Sequence, residues 1–258
     1  MGKGWHIFVA VALLGAFALV AVAHGEQVQR GNLIVSLDGS YAPLALPRDR
    51  KAPVSVHLDA GLRTSDHTVL PRVTRVELGV PGQAAITTRG LPTCSARRLR
   101  NATTEKALEL CRPALIGSGR MVAQVKIPTQ APFMVHARLL AFNGRVGGRR
   151  AVIVQGLSTR PPVAVALPFV IELRPGRFGT VLVAHLPRNL GPWPRFAHFE
   201  MDLSRRYTYR GRRLSYISAS CPIPKSLTAG FFSFAKATFT LAGGRRISTG
   251  IARSCRAR

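Results

Sequence analysis

Apolar and polar residues alternate along most of the chain with a period of two, which is typical of β-strands that bury one face. Glycine-rich turns such as Asn143-Gly144 and Gly243-Gly244 separate neighbouring segments, as in hairpins. The pattern predicts strands in residues 32–38, 54–62, 72–78, 121–127, 135–142, 151–155, 163–173, 180–185, 207–210, 214–219, 235–241 and 247–252.

One segment has a helical pattern instead. Residues 103–110 offer Thr103 or Thr104 as an N-cap and Glu105 in the first turn. Many strands joined by hairpins, with a single short helix, predict a mainly β fold, an antiparallel β-sandwich or barrel, over residues 27–258. The sequence around residues 157–162 also resembles a seam, so two small β modules are an alternative.

The N-terminal segment has the features of an export signal. Lys3 precedes an uninterrupted apolar run, residues 7–22, and small residues occupy positions 21 and 23. The run is shorter than the ~20 residues of a comfortable membrane span. Residues 1–23 are therefore expected to be a signal peptide cleaved after Ala23, with an uncleaved membrane anchor as the alternative. Either reading predicts a secreted or cell-surface protein.

Four cysteines in an exported chain are expected to form two disulfides. Of the three possible pairings we favour Cys94 with Cys111 and Cys221 with Cys255, since each pair encloses one compact unit. A thioredoxin-like redox centre would need a C-x-x-C motif, which is absent. Zinc would need cysteine or histidine ligands at short spacing, and these are also absent.

Several short motifs occur together in this chain: GLPTC, CRPALIG, LLAFNG, YRGRRLSYISASCPIPK and RSCRAR. As a set they resemble a family of uncharacterised exported proteins from high-GC actinobacteria. The resemblance covers most of the chain that follows the signal. It implies a secreted, β-rich domain and no known activity, and it supplies no catalytic residues.

The chain has a formal net charge of +26, and nearly all of the excess is arginine, since there are only six lysines. High-GC coding accounts for part of this composition, but the positive field attracts anionic polymers whatever its origin. Arginine binds phosphate and carboxylate through its planar fork. We therefore expect acidic envelope polymers as partners, whereas nucleic acid is not expected outside the cell.

Arginines crowd the predicted turns, and two tyrosines interleave with those of residues 205–213. If the turns share one end of the fold, they form a polyanion-binding patch. The alternative is that arginines at turns and edges keep the protein soluble and block edge pairing. The candidate set is Arg205, Arg206, Tyr207, Tyr209, Arg210, Arg212, Arg213, Arg149, Arg150, Arg245 and Arg246.

Two clusters carry residue types found in catalytic or metal sites. His198, Glu200 and Asp202 share one face of a strand, but side chains four positions apart on a strand are ~13 Å apart, too far to share one metal ion. The second cluster is His57, Asp59, Asp66 and His67. It lacks the nucleophile geometry of a hydrolase, and no G-x-S-x-G motif is present.

No catalytic residue, metal site or cofactor is therefore assigned. The sequence favours a non-enzymatic envelope or extracellular domain with a polyanion-attracting surface. A secreted hydrolase acting on cell-wall or extracellular polysaccharide is the alternative.

Overall fold

The computed structural model describes residues 26–187 and 193–258. The expected signal peptide, residues 1–23, lies outside this part of the chain. No helix within the described ranges has both the length and the apolar character needed to cross a membrane.

The protein is mainly β, as predicted. The strands are β1 (Glu26–Arg30), β2 (Leu33–Ala42), β3 (Ala45–Leu46), β4 (Ala52–Pro53), β5 (Ser55–Thr64), β6 (Val73–Val80), β7 (Ala84–Ile86), β8 (Leu115–Val125), β9 (Phe133–Val146), β10 (Arg149–Thr159), β11 (Pro162–Leu173), β12 (Thr180–His185), β13 (Pro194–Leu203), β14 (Arg206–Tyr209), β15 (Arg212–Ser215), β16 (Ile217–Ala219), β17 (Ala229–Leu241) and β18 (Arg246–Ala257). The helices are α1 (Ala96–Leu99) and α2 (Thr104–Cys111), followed by a 3₁₀ turn at Arg112–Ala114.

Thirteen strands form one sheet in the order β1-β2-β5-β13-β8-β9-β10-β11-β12-β6-β17-β18-β3. Every neighbouring pair is antiparallel except β18 and β3. Strand direction therefore alternates along the order from β1 to β18. The turns that follow β9 and β13, two positions apart, lie at one end of the sheet. The turn that follows β17, five positions from β9, lies at the opposite end.

The sheet curls until strands near its two ends touch. Tyr41 on β2 donates a hydrogen bond of 2.8 Å from its hydroxyl to the carbonyl oxygen of Ser254 on β18. Arg253, also on β18, pairs with Asp38 on β2. The curl turns one face of every strand inwards, and the buried residues of all the long strands form one core. The alternation in sequence therefore reflects an inner and an outer face.

Two disulfides stabilise this fold, with the predicted pairing. Cys94–Cys111 encloses the two short helices, and the Cys94 amide donates a 2.8 Å hydrogen bond to the carbonyl oxygen of Asn143 at the end of β9. Cys221–Cys255 joins the segment after β16 to β18. Both cysteine pairs are buried. Two disulfides and no free cysteine among the described residues indicate an oxidising environment, such as the cell exterior.

The predicted helix is confirmed as α2, and Thr103 is its N-cap, accepting a 3.2 Å hydrogen bond from the Lys106 amide. Residues 214–219 are two strands rather than one. The chain turns at buried Tyr216, so β15 pairs with β14 while β16 pairs with β4 and β7. Residues 157–162 include the end of β10, the two-residue turn Arg160-Pro161 and the start of β11, and both strands belong to the same sheet.

We expect both disulfides to stabilise the protein by restricting the unfolded chain, and the longer loop to contribute more. The loops span 34 residues for Cys221–Cys255 and 17 for Cys94–Cys111. Replacing each pair by serine should lower the free energy of unfolding by about 4 and about 3 kcal/mol respectively. Urea denaturation of the two double variants measures both losses. Reduced wild-type protein should be less stable than either variant, and a reduced protein as stable as the oxidised one would contradict the expectation.

Candidate functional site

An arginine-lined pocket opens at the end of the sheet that carries the β9–β10 turn. We call it the arginine pocket, and its volume is about 480 Å³. Arg89, Arg145 and Arg150 line it together with the hydroxyl-bearing residues Thr87, Thr88 and Thr93. No aspartate or glutamate is among the lining residues. The pocket therefore combines positive charge with neutral hydrogen-bond donors.

The β9–β10 hairpin positions two of these arginines. Arg145 and Arg150 are direct cross-strand partners, so their side chains project from the same face. Arg145 donates a 3.0 Å hydrogen bond to the carbonyl oxygen of Gly148 in the turn. The opposite wall is the segment that follows β7. Asn143 holds this wall in place, because its amide group donates to the carbonyl oxygens of Leu91 and Pro92 at 3.2 and 2.9 Å.

The β14–β15 hairpin packs against the same wall, since it follows β13 at this end of the sheet. The Tyr207 hydroxyl donates to the carbonyl oxygen of Arg89 at 2.8 Å and is 3.3 Å from that of Thr87. Burial raises the pKa of Tyr207. The Tyr209 ring lies against Gly90, whose φ of 74° and lack of a side chain permit the approach.

The guanidinium groups of Arg89 and Arg210 lie 6.0 and 5.4 Å from the centre of the Tyr209 ring. This range is that of cation–π contacts. Both predicted tyrosines thus make intramolecular contacts that support the pocket wall. Their role here is to position arginine rather than to offer a free aromatic surface.

The structure brings together only part of the arginine set predicted from sequence. The exposed Arg206, Arg210, Arg212 and Arg213 lie on the hairpin beside the pocket, and Arg150 lines it. Arg205 is partly buried below the hairpin, where its carbonyl oxygen accepts a 2.8 Å hydrogen bond from the Tyr216 amide. Arg89 was not predicted, because its segment shows neither a strand pattern nor a cluster of charge.

The remaining arginines of the set lie elsewhere. The turn that carries Arg245 is at the opposite end of the sheet. Arg246 pairs with Glu77 at 3.1 Å, and Arg149 pairs with Glu172 at 3.7 Å. Arg149 and Arg150 are adjacent on a strand, so they point to opposite faces and only one of them reaches the pocket.

Glu77 is the centre of an ion-pair network. Its carboxylate, only 9% exposed, accepts hydrogen bonds from Arg75, Arg174 and Arg246 at 2.6, 3.2 and 3.1 Å. Burial acts to raise the pKa of Glu77, but the hydrogen bond from Arg174 and the charges of the three arginines outweigh it, and the net pKa is lowered. These three arginines therefore stabilise the fold through their ion pairs with Glu77.

His57 and Asp59 of one cluster meet the other cluster on the outer face of β5 and β13. His57 pairs with Asp202 at 2.8 Å, and His198 pairs with Asp59 at 2.7 Å. Between these pairs Glu200 accepts a 2.6 Å hydrogen bond from Arg120 on β8, and that bond, the largest contribution, lowers its pKa. Cross-strand register makes these contacts, since Asp202 is opposite His57, and Asp59, which is opposite Glu200, lies diagonally across from His198.

These pairs lie on an open sheet surface. The lining of the arginine pocket includes none of these two histidines and three acids. Asp66 is separate from them, in a turn where hydrogen bonds from Thr68 and Asn32 lower its pKa to about 2. Within residues 26–187 and 193–258, no group of three or more histidines, cysteines or acids is arranged to hold a metal ion.

No family model, curated protein or solved structure matches this chain. The resemblance to exported actinobacterial proteins therefore stays a prediction. The functional argument depends on the geometry of the sites alone.

We expect Glu77→Gln to lower the free energy of unfolding at pH 7 by about 2 kcal/mol, because the buried charge holds three arginines. The pKa of Glu77 is lower in the folded than in the unfolded protein, so its contribution is present above the unfolded value and is lost as pH falls. The difference between variant and wild type should therefore shrink in acid. Urea denaturation from pH 7 to pH 3 measures it.

The matched control is Glu109→Gln, since Glu109 is 66% exposed and its carboxylate makes one ion pair, with Lys106. This change should cost less than about 0.5 kcal/mol at any pH. Equal effects of the two changes would contradict the assigned role of Glu77.

Proposed function

We propose that the protein is a non-enzymatic domain, secreted or held at the cell surface, that binds anionic envelope polymers through the arginine pocket and the adjacent β14–β15 hairpin. The observation that carries the proposal is the acid-free wall of the pocket, where three arginines and three threonines face one cavity. Phosphate and carboxylate groups match such a set of donors.

The distribution of the acids supports this assignment. The chain has eleven acidic residues against 37 basic ones. Among the ion pairs of the described residues, none involves Arg89, Arg145 or Arg150. The positive charge of the pocket is therefore not neutralised internally. A repeating polyanion can extend from the pocket across the exposed arginines of the hairpin.

The size of the pocket limits the ligand class. A volume of about 480 Å³ holds one or two repeat units of a phosphate or uronate polymer, not a folded macromolecule. The partner is thus an extended acidic polymer such as a teichoic-type chain. Export, which the proposal requires, would bring the protein into contact with such polymers.

The test compares two triple variants of equal charge. Arg89, Arg145 and Arg150 changed to Gln should weaken binding of fluorescein-labelled polyphosphate at least tenfold, since three charge-assisted contacts are lost. The slope of log affinity against log salt should become shallower by about 2, because fewer counterions are released. Fluorescence anisotropy across a salt series measures both quantities.

The control variant changes Arg30, Arg63 and Arg245 to Gln. These arginines are exposed, make no ion pair among the described residues and lie at the opposite end of the sheet. Binding to this variant should stay within about threefold of wild type. Equal losses in the two variants would show attraction by net charge alone and would refute the pocket as the site.

The alternative from sequence, a polysaccharide hydrolase, is tested with the same preparation. Incubation with acidic cell-wall polysaccharide should leave chain length unchanged. Shortening of the polymer that disappears when His198 and Asp59 are changed to alanine would favour the hydrolase instead.

A further inference from the structure

The number of strands in the curled sheet sets the size of its interior. A closed sheet of about eight strands has an interior that side chains fill or that holds one small ligand, and the enclosed space grows with the number of strands. Here thirteen strands form the sheet, although β1 and β3 at its edges are short. The strand number alone therefore predicts an interior wide enough for a ligand.

A cavity of about 510 Å³ lies in the half of this interior that is farther from the arginine pocket. Met121, Val154, Phe169 and Phe199 line it and pack against the main core, yet each of them is only partly buried. In a close-packed interior the neighbouring side chains would cover them. The volume is within the range of small-ligand sites, about 300–1,000 Å³.

A second cavity, of about 110 Å³, lies in the half nearer the arginine pocket. The two cavities share Leu78, Val154, Phe169 and Phe199 as lining residues, so they are neighbours across these side chains. Rotation of the shared side chains would join the two spaces. The joined space is elongated, because it follows the strands from one half of the sheet into the other.

The lining of the smaller cavity restricts the chemistry of an occupant. Apart from Tyr41 and Tyr216, the described residues that line it have apolar side chains, and the Tyr41 hydroxyl is already bonded to Ser254. Ordered water in a protein interior needs several polar partners, which this lining does not offer. A charged group would lose its hydration there without gaining compensating bonds. A neutral apolar molecule has neither requirement.

The larger cavity reaches the surface at the end opposite the arginine pocket, where the exposed His185 at the end of β12 is part of its lining. The charged side chains of this lining belong to the same end, and Arg75, one of them, pairs with Glu77 at 2.6 Å. A ligand therefore enters beside polar residues and moves towards the apolar interior. Its position inside requires no contact with a charged group.

We propose that the interior of the curled sheet binds one neutral, elongated apolar molecule, such as a long-chain hydrocarbon or alcohol. Burial of its apolar surface against the inner faces of the strands provides the binding energy. This site does not depend on the proposed function, because the linings of the two interior cavities share no residue with that of the arginine pocket. Loss of polyanion binding would therefore leave this binding intact, and the reverse also holds.

The test uses diphenylhexatriene, an elongated neutral hydrocarbon that fluoresces in apolar surroundings. The purified protein should bind this probe saturably with one site per chain, and dodecanol should displace it. Along a series of n-alkanols the affinity should rise about fourfold for each added methylene and then level off when the chain fills the joined cavities. Adsorption to the protein surface would give no such limit. Dodecanoate should displace the probe about tenfold more weakly than dodecanol, because its carboxylate must leave water.

A cavity-filling change tests the location of the site. Val154→Phe, in the wall that both cavities share, should weaken binding of the probe by about tenfold or more, since the ring takes up space that the ligand needs. The matched control is Val163→Phe, at a side chain that is 42% exposed and lines neither cavity, and this change should have no effect.

Ala123→Phe, in the wall of the larger cavity, is a second filling variant in case Val154→Phe does not fold, and near-UV circular dichroism checks each variant. The triple variant of the arginine pocket should bind the probe normally, and polyphosphate should not displace it from the wild type. Absence of saturable binding would overturn the proposal. So would binding that survives both filling variants, or tighter displacement by dodecanoate than by dodecanol, which would show that a charge is recognised.

Discussion

The closure of one long sheet on itself is the constraint on which the rest of this structure depends. Thirteen strands in a single sheet would expose two broad faces, and the two short helices among the described residues are too few to cover them. Here Arg253 and Ser254 on β18 contact Asp38 and Tyr41 on β2. The inner face forms a common core, and the turns cluster at the two ends of the sheet.

The local part of the fold was predictable because strand alternation and cysteine spacing are local signals. Residues 180–185 were predicted as a strand and are β12, and Thr103 was predicted as a cap and caps α2. Each disulfide joins two cysteines that are close in sequence, so the pairing could be predicted from cysteine spacing. Tyr216 shows the limit of this kind of prediction. Apolar and polar residues keep alternating through Tyr216, although the chain leaves one sheet for another at that residue.

The sites were less predictable because they depend on which strands become neighbours. β6 pairs with β12 and β17, which are distant in sequence, and this order places Glu77 within reach of Arg174 and Arg246. No sequence signal distinguishes Arg149, which pairs with Glu172, from Arg150, which faces the arginine pocket. Likewise, His57 and Asp202 belong to separate sequence clusters and meet only because β5 pairs with β13.

The placement of the few acids explains how a highly basic chain remains compact. Acids are few, and the buried Glu77 gathers three arginines that would otherwise repel one another. The covalent link Cys221–Cys255 acts on the unfolded chain instead, because it limits the conformations open to a loop of 34 residues. The ion pairs of the folded sheet and the covalent constraint on the unfolded chain therefore act on different states, and together they offset the mutual repulsion of the many arginines.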